Sequence, residues 1–337
     1  MKQVGVILFC IALFACQRQA VPVSTVSGEV WLDESTTYYD IRVVGSYMAL
    51  LAQQSDTVLQ VRPLAHPRLM SAFGLKGESF CTEKFESPVF VKSLPASIDK
   101  EKECWIVDKN VYLKKIRLDG ESLRIQKNKL FATTQSKDYN FTEKEMYAVP
   151  TDKKEYLFYF FNTDSGYYWV DIPSIKEGNA SNDVYLTNLC VNERKGCIVS
   201  ANRFSNIIQF LNMRGGLTNY GGTSDSIVKP VLIKENRKEY PRFHHKRNQE
   251  IDIVRSTKCF IDICGTEKYV YVLYNGFADY THPSSVYIYQ WNGEPVSILK
   301  TDSPLIKIAV TANDEHLFGL TAMRAQTQKV MKYKLPF

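Results

Sequence analysis

The sequence predicts an all-β chain built as a six-bladed β-propeller. Three observations predict it. A unit of apolar strand, polar turn and second apolar strand recurs six times along the 337 residues. Further short apolar runs flank the copies. Helical periodicity is weak from end to end, which argues against a helical solenoid. One four-stranded sheet cannot bury both faces alone. Packing such sheets radially buries each against the next and removes the open ends. A pair of β-sandwiches is the competing arrangement.

The first element is MKQVGVILFCIALFACQRQA. Lys2 gives a positive start, and the apolar run from Val4 to Ala15 is shorter than the roughly 20 residues that span a bilayer. That is the form of a secretory signal peptide, expected over residues 1–15. The run ends in Leu13-Phe14-Ala15-Cys16, which resembles the lipobox of bacterial lipoproteins. The resemblance implies cleavage before Cys16 and lipid attachment there, because only a thiol gives the thioether. A lipidated tether is then expected over 16–27. A propeller domain is expected over 28–337. No later run is long and apolar enough to cross a membrane as a helix.

The propeller elements follow. GEVWLDE, from Gly28 to Glu34, alternates Val30 and Leu32 against Glu29, Trp31 and Asp33, as a strand packed on one face would. It precedes the first inner strand at Tyr39–Val44 and has no unit of its own. The six hairpins start at Tyr47, Cys104, Tyr156, Gly196, Tyr269 and His316. Inner-strand candidates are YDIRVV, PVFVKSL, VYLTNLCV, CFIDIC and LIKIAV. RLMSAF, SLRIQ and PVSIL read as outer strands. The third unit has an indistinct outer strand. A long insertion, about Thr223–Thr257, separates units four and five. The sixth unit offers three strands before the chain stops at Phe337. An unpaired edge there would leave free N–H and C=O groups. GEVWLDE is therefore expected to pair with Val330–Leu335 and close the ring.

FGLKGESFCTEKFESPVF, from Phe73 to Phe90, looks like the linker between blades of six-bladed propellers. Gly74 and Gly77 suit a tight exit from an outer strand, and Pro88 the entry to the next inner one. Together with the lipobox, GCIVSANRFSNIIQF and YVLYNGF…VYIYQWNGEP, the chain resembles the TolB-like six-bladed propeller lipoproteins of the Bacteroidetes. The resemblance implies a lipid-anchored protein of the outer membrane. Gln17, Arg18 and Gln19 are not acidic, unlike the start of many surface-exported lipoproteins, so a periplasmic position is expected.

The formal charge is +6, from 42 basic and 36 acidic residues. This mild bias does not argue for nucleic acid, no basic helix or aromatic-basic motif supports such a reading, and no nucleic-acid partner is expected. Cys190 and Cys197 flank the turn in LCVNERKGC and could form a disulfide across a hairpin; small buried hydrophobes are the alternative. Cys259 and Cys264 share one short stretch and, if it is extended, sit about 16 Å apart, too far to bridge. None of the five histidines sits in a catalytic signature. His244-His245 lies in a basic loop. The inner strands offer Asp40, Asn188 and Asp262, but also Lys92 and Lys307. A mixed set is not a calcium cage, so a solvated channel lining is expected. YYWVD and VYIYQW are expected between blades. YPRFHHKRNQEIDIVR has a composition that suits a protein contact, but a solvated loop is the favoured reading.

No catalytic, cofactor or metal site is assigned. The reading is a monomeric, membrane-tethered binding or scaffolding module for an envelope protein or peptide. The alternative is a propeller hydrolase or lyase acting on a carbohydrate or lactone.

Overall fold

A computed structural model gives the architecture. It describes residues 20–53, 55–79, 81–93, 96, 102–119, 122–130, 136–151, 156–162, 166–171, 186–213, 226–228, 231–237, 252–323 and 327–337. Cys16 and His244-His245 lie outside the described residues. So does the signal segment.

Two N-terminal strands come first, β1 (Val23–Val26) and β2 (Glu29–Glu34). Blade 1 is β3 (Tyr38–Val44), β4 (Tyr47–Ala52), β5 (Thr57–Pro63) and β6 (Ala72–Lys76), with β7 (Lys84–Phe85) beyond. Blade 2 is β8 (Pro88–Phe90), β9 (Glu103–Asp108), β10 (Tyr112–Asp119) and β11 (Ser122–Lys129). Blade 3 is β12 (Ser136–Phe141), β13 (Glu145–Pro150), β14 (Tyr156–Asn162) and β15 (Gly166–Asp171). Blade 4 begins with β16 (Thr187–Asn192), β17 (Cys197–Asn202) and β18 (Ile207–Asn212). Next in the chain, β19 (Ser226–Val228) joins blade 3, and β20 (Val231–Arg237) completes blade 4. Blade 5 is β21 (Lys258–Gly265), β22 (Tyr269–Phe277), β23 (Ser285–Gln290) and β24 (Pro295–Thr301). Blade 6 is β25 (Leu305–Val310), β26 (His316–Thr321) and β27 (Gln328–Lys334), closed by β2.

The six-bladed propeller is therefore present, and the N-terminal strand closes it. Val30 pairs with Met331 in an antiparallel ladder. The expected alternation in β2 is broken, because the register shifts between Val30 and Leu32. Val30 is exposed, while Trp31 turns inward with Leu32. The Trp31 ring meets Phe318 edge-on at 5.7 Å, and its Nε1 donates to Leu64 O at 2.8 Å.

Three strands were not legible as such. β1 pairs in parallel with β24, so part of the stretch expected as tether belongs to the blade-5 sheet. β7 and β19 extend blades 1 and 3 in the same parallel sense. The stretch read as an insertion holds β19 and the outer strand of blade 4. In the third unit, the hairpin starting at Tyr156 is strands three and four of its blade, so the outer strand is GYYWVD itself.

An apolar cluster fills each gap between successive blades. Tyr168 stacks on Phe160 at 4.7 Å, and Trp169 and Tyr289 are buried, so these aromatics are blade-to-blade core. Gly74 sits in β6 rather than in a turn. An added Cβ would lie 2.3 Å from the Phe85 ring, so close packing requires the glycine. The same linker is fastened from blade 2. The fully buried Lys114 ammonium lies 2.8 Å from Asp108 and donates to the carbonyls of Cys81 and Lys84. Asp108 Oδ1 accepts from the Glu86 and Ser87 amides.

Candidate functional site

Inner strands of a propeller face one another across the channel without forming a ladder. Their inward N–H and C=O groups need other partners. Side chains supply many of them here, each reaching from one blade to the next, beside a few direct backbone bonds such as Lys92 N–H to Tyr139 O at 3.1 Å. In blade 1, Asp40 Oδ2 accepts from the Phe90 amide at 3.4 Å. Lys92 of blade 2 pairs with Asp138 of blade 3 at 3.2 Å. Asn140 Nδ2 of blade 3 donates to Leu189 O at 3.3 Å, and Asn188 Nδ2 of blade 4 donates to Phe260 O at 2.8 Å. Asp262 Oδ2 of blade 5 accepts from the Ile308 amide at 3.0 Å. The circle returns through Lys307 of blade 6, 4.0 Å from Asp40.

Backbone bulges aim these groups. The ladder registers shift between Tyr38 and Asp40, Phe260 and Asp262, and Leu305 and Lys307. In each case the extra residue immediately precedes the charged one. A bulge re-aims the side chain that follows it. Blade 3 does this differently. Its register shifts between Lys137 and Asn140, and Asp138 has φ 52°, a left-handed conformation uncommon outside glycine. Lys137 thereby comes within 3.8 Å of Asp138 Oδ2.

The charged members form an alternating chain across the channel. Lys137 leads to Asp138, then Lys92, Asp262, Lys307 and Asp40. Lys92 lies 2.8 Å from Asp262 Oδ1, and Lys307 lies 3.3 Å from the same oxygen. Burial alone would raise the Asp262 carboxyl, but Lys307 and Lys92 more than offset it and hold it below the usual range. Asp138 is likewise raised by burial and lowered further by Lys92 and Lys137. Burial works against the Lys92 ammonium, yet Asp138 and Asp262 lift it above the ordinary lysine value. Asp40 differs. Burial dominates, the Asp262 charge adds to it, and its carboxyl is raised. Burial also pushes the Lys137 amine down to about 8, against the pull of Asp138.

The five residues expected at the channel therefore meet, but not as a solvated lining. Asp40, Lys92, Asn188 and Asp262 are buried. Asp40 and Asp262 fail as solvent-facing groups because bulges turn them into the seams between blades, while Asn188 reaches the next blade from a ladder in regular register. Sequence reasoning missed Asp138, Lys137 and Asn140. Their strand, SKDYNF, lacks the apolar alternation that marks the other inner strands.

Above the chain, at the carboxyl ends of the inner strands, the channel mouth holds a two-lobed crevice. The larger lobe, about 100 Å³, has Asp40, Lys92 and Asp262 as its floor. The smaller, about 40 Å³, is lined by Ser93, Glu193 and Arg194, and Arg42 borders both. Arg42 Nη1 donates to Lys92 O at 2.5 Å. Among the described residues its other guanidinium N–H groups have no acceptor. Also among them, no three metal-ligating side chains converge.

Cys190 and Cys197 lie on one face of the β16–β17 hairpin, but Cys190 is opposite Val199 and Cys197 opposite Asn192. That diagonal separates Cα atoms by about 7–8 Å, beyond what a disulfide spans without backbone movement. Neither cysteine is in a disulfide, and both are buried. Cys197 donates to Trp291 O at 3.1 Å, and Cys190 touches Ser93 Oγ at 3.6 Å.

No family model and no curated protein matches the chain. Among solved structures it is similar to the β-propeller domain of Cps50 (Swd1) from Myceliophteria thermophila, at 8% identity and a TM-score of 0.46, over 90% of this chain and 99% of that one. It is similar to U3-55K, at 8% identity and 0.47, over 88% and 80% of the two chains. It is similar to the RRP9 WD40 repeats, at 8% identity and 0.47, over 90% and 81%.

Proposed function

We propose that the protein is a lipid-anchored binding propeller. Acylated at Cys16, it is held as a monomer at the outer membrane, facing the periplasm, in the manner of the TolB-like lipoproteins its sequence resembles. It engages an envelope protein or peptide through the face at the carboxyl ends of its inner strands. One observation carries this reading. Asp138 and Asp262 are engaged with lysines at 2.8–3.3 Å and Asp40 with the Phe90 amide, whereas the mouth above keeps a crevice bordered by Arg42 donors. The channel holds the disc together, and the mouth is left for a ligand. A hydrolase or lyase acting on a carbohydrate or lactone is the second reading. Its support is the Lys137 amine beside Asp138, brought down to about 8 by burial.

The test uses the full lipidated chain in envelope membranes. A photo-crosslinking residue replaces Lys268, exposed in the hairpin at the mouth, or His282, exposed in a loop at the other end of the blade. A discrete protein adduct from position 268 and none from 282 is expected. An adduct from 282 alone, or from neither, contradicts the reading. Cys16→Ser should abolish acyl labelling and leave unprocessed precursor.

A further inference from the structure

Two features of the crevice select its ligand. The first is the state of Asp40. Of the three channel carboxylates it alone lacks an ammonium at contact distance. Lys307 is 4.0 Å away, while Asp138 and Asp262 have lysines at 3.2 and 2.8 Å. Asp40 forms part of the floor of the larger lobe, where four carboxylates face two cations among the described residues. The second is Arg42, two residues along the same strand and bordering both lobes. In the smaller lobe three cations face one carboxylate, Glu193. The other carboxylates of the larger lobe are paired, Asp262 with Lys92 and Lys307, Glu103 with Arg117 and Glu267 with Arg194, so an under-compensated anion and an under-used guanidinium stand side by side.

Phe90, Val310 and Ala309 add an apolar wall to the larger lobe. Its volume of about 100 Å³ is of the order of the cavity of about 150 Å³ that accepts a benzene ring. We infer that this crevice binds a small zwitterion, a free α-amino acid with an aliphatic side chain, its ammonium against Asp40 and its carboxylate on Arg42. A guanidinium fork matches a carboxylate with two parallel hydrogen bonds, and charge-assisted bonds at both ends exclude ligands that carry only one charge. This goes beyond the binding of an envelope partner. Its failure would leave that reading standing, because the test below contains no partner.

The experiment is a calorimetric titration of the full chain in detergent with alanine, valine and leucine. Propionate and ethylammonium serve as single-charge controls, each up to about 10 mM, where a dissociation constant of about 1 mM is still saturated. The amino acids should bind saturably and the controls should not. Arg42→Gln and Asp40→Asn should each weaken binding at least tenfold, the loss expected for one charged hydrogen bond. Arg42→Lys keeps a charge at the site and should lose less than Arg42→Gln. Thermal unfolding of each variant shows that it is folded. Absence of saturable binding, equal binding of either control, or folded variants that bind as well as the unmodified chain would each overturn the inference.

Discussion

Replacing Asp262 and Asp40 by asparagine should move stability in opposite directions. Asp262 is almost completely buried. Its Oδ1 faces two ammonium groups at 2.8 and 3.3 Å, and its Oδ2 accepts the Ile308 amide at 3.0 Å. Asparagine has one oxygen for these three donors. Whichever way the amide turns, its NH₂ confronts an ammonium or a backbone N–H. Stranding a buried charge costs about 3–5 kcal/mol. Lys92 keeps Asp138 at 3.2 Å, so the lower end applies, about 3 kcal/mol. In a domain of about 300 residues, with an unfolding entropy of about 2.1 cal/mol/K per residue, that lowers Tm by about 5 °C. Asp40 carries the opposite sign. Its carboxyl is raised because burial outweighs its cations. Asp40→Asn removes a charge the fold disfavours and leaves Lys307 with Asp262 at 3.3 Å. Stability at pH 7 should stay level or rise. The assay is circular dichroism melting of both variants at one scan rate. The reasoning fails if Asp262→Asn melts within about 1 °C of the parent, or if Asp40→Asn falls as far as Asp262→Asn.

Other outcomes follow from the same geometry. Lys114→Ala should cost about 3–5 kcal/mol by stranding buried Asp108, and should open the Cys81–Ser87 linker to limited proteolysis. Gly74→Ala should cost about 1–3 kcal/mol through overpacking against Phe85, read by chemical denaturation. Asp138 and Asp262 have depressed carboxyls, so their stabilisation is present above the unfolded value of about 4 and is lost as pH falls through their folded values. Lys92 is raised, so its contribution is present below about 10.5 and is lost as pH rises beyond its folded value. The Tm profile should therefore have its plateau between these limits. It should fall off in acid less steeply in an Asp138→Asn, Asp262→Asn double variant. The Lys137 amine, near 8, should react with an acylating reagent at pH 8 faster than the other lysines, as read by peptide mass spectrometry.

Much of this fold is legible in the sequence because each hairpin alternates apolar strands with a polar turn. The closing strand is legible by elimination, since GEVWLDE belongs to no unit and the last blade lacks a strand. What is not legible depends on register. Asp40, Asp262 and Lys307 stand out as polar residues within apolar runs, but a bulge decides that they point into the seams. A bulge leaves no mark on composition. Asp138 is harder still, because its left-handed backbone is held by the surrounding blade and not by a glycine. Strands as short as Val23–Val26 and Ser226–Val228 carry too little pattern to separate from loop.

The inner strands are fastened into one ring by side chains that do the work of a missing ladder, and hydrogen exchange at three amides tests this most directly. Phe90, Val191 and Ile308 donate to Asp40, Ser93 and Asp262, each on a different blade. In the native protein these amides should be protected to the level of the ladder amides of β4 and β22. In Asp262→Asn the Ile308 amide should lose protection before the ladders do. Fast exchange of all three in the unmodified chain, as from a water-filled channel, would contradict the ring.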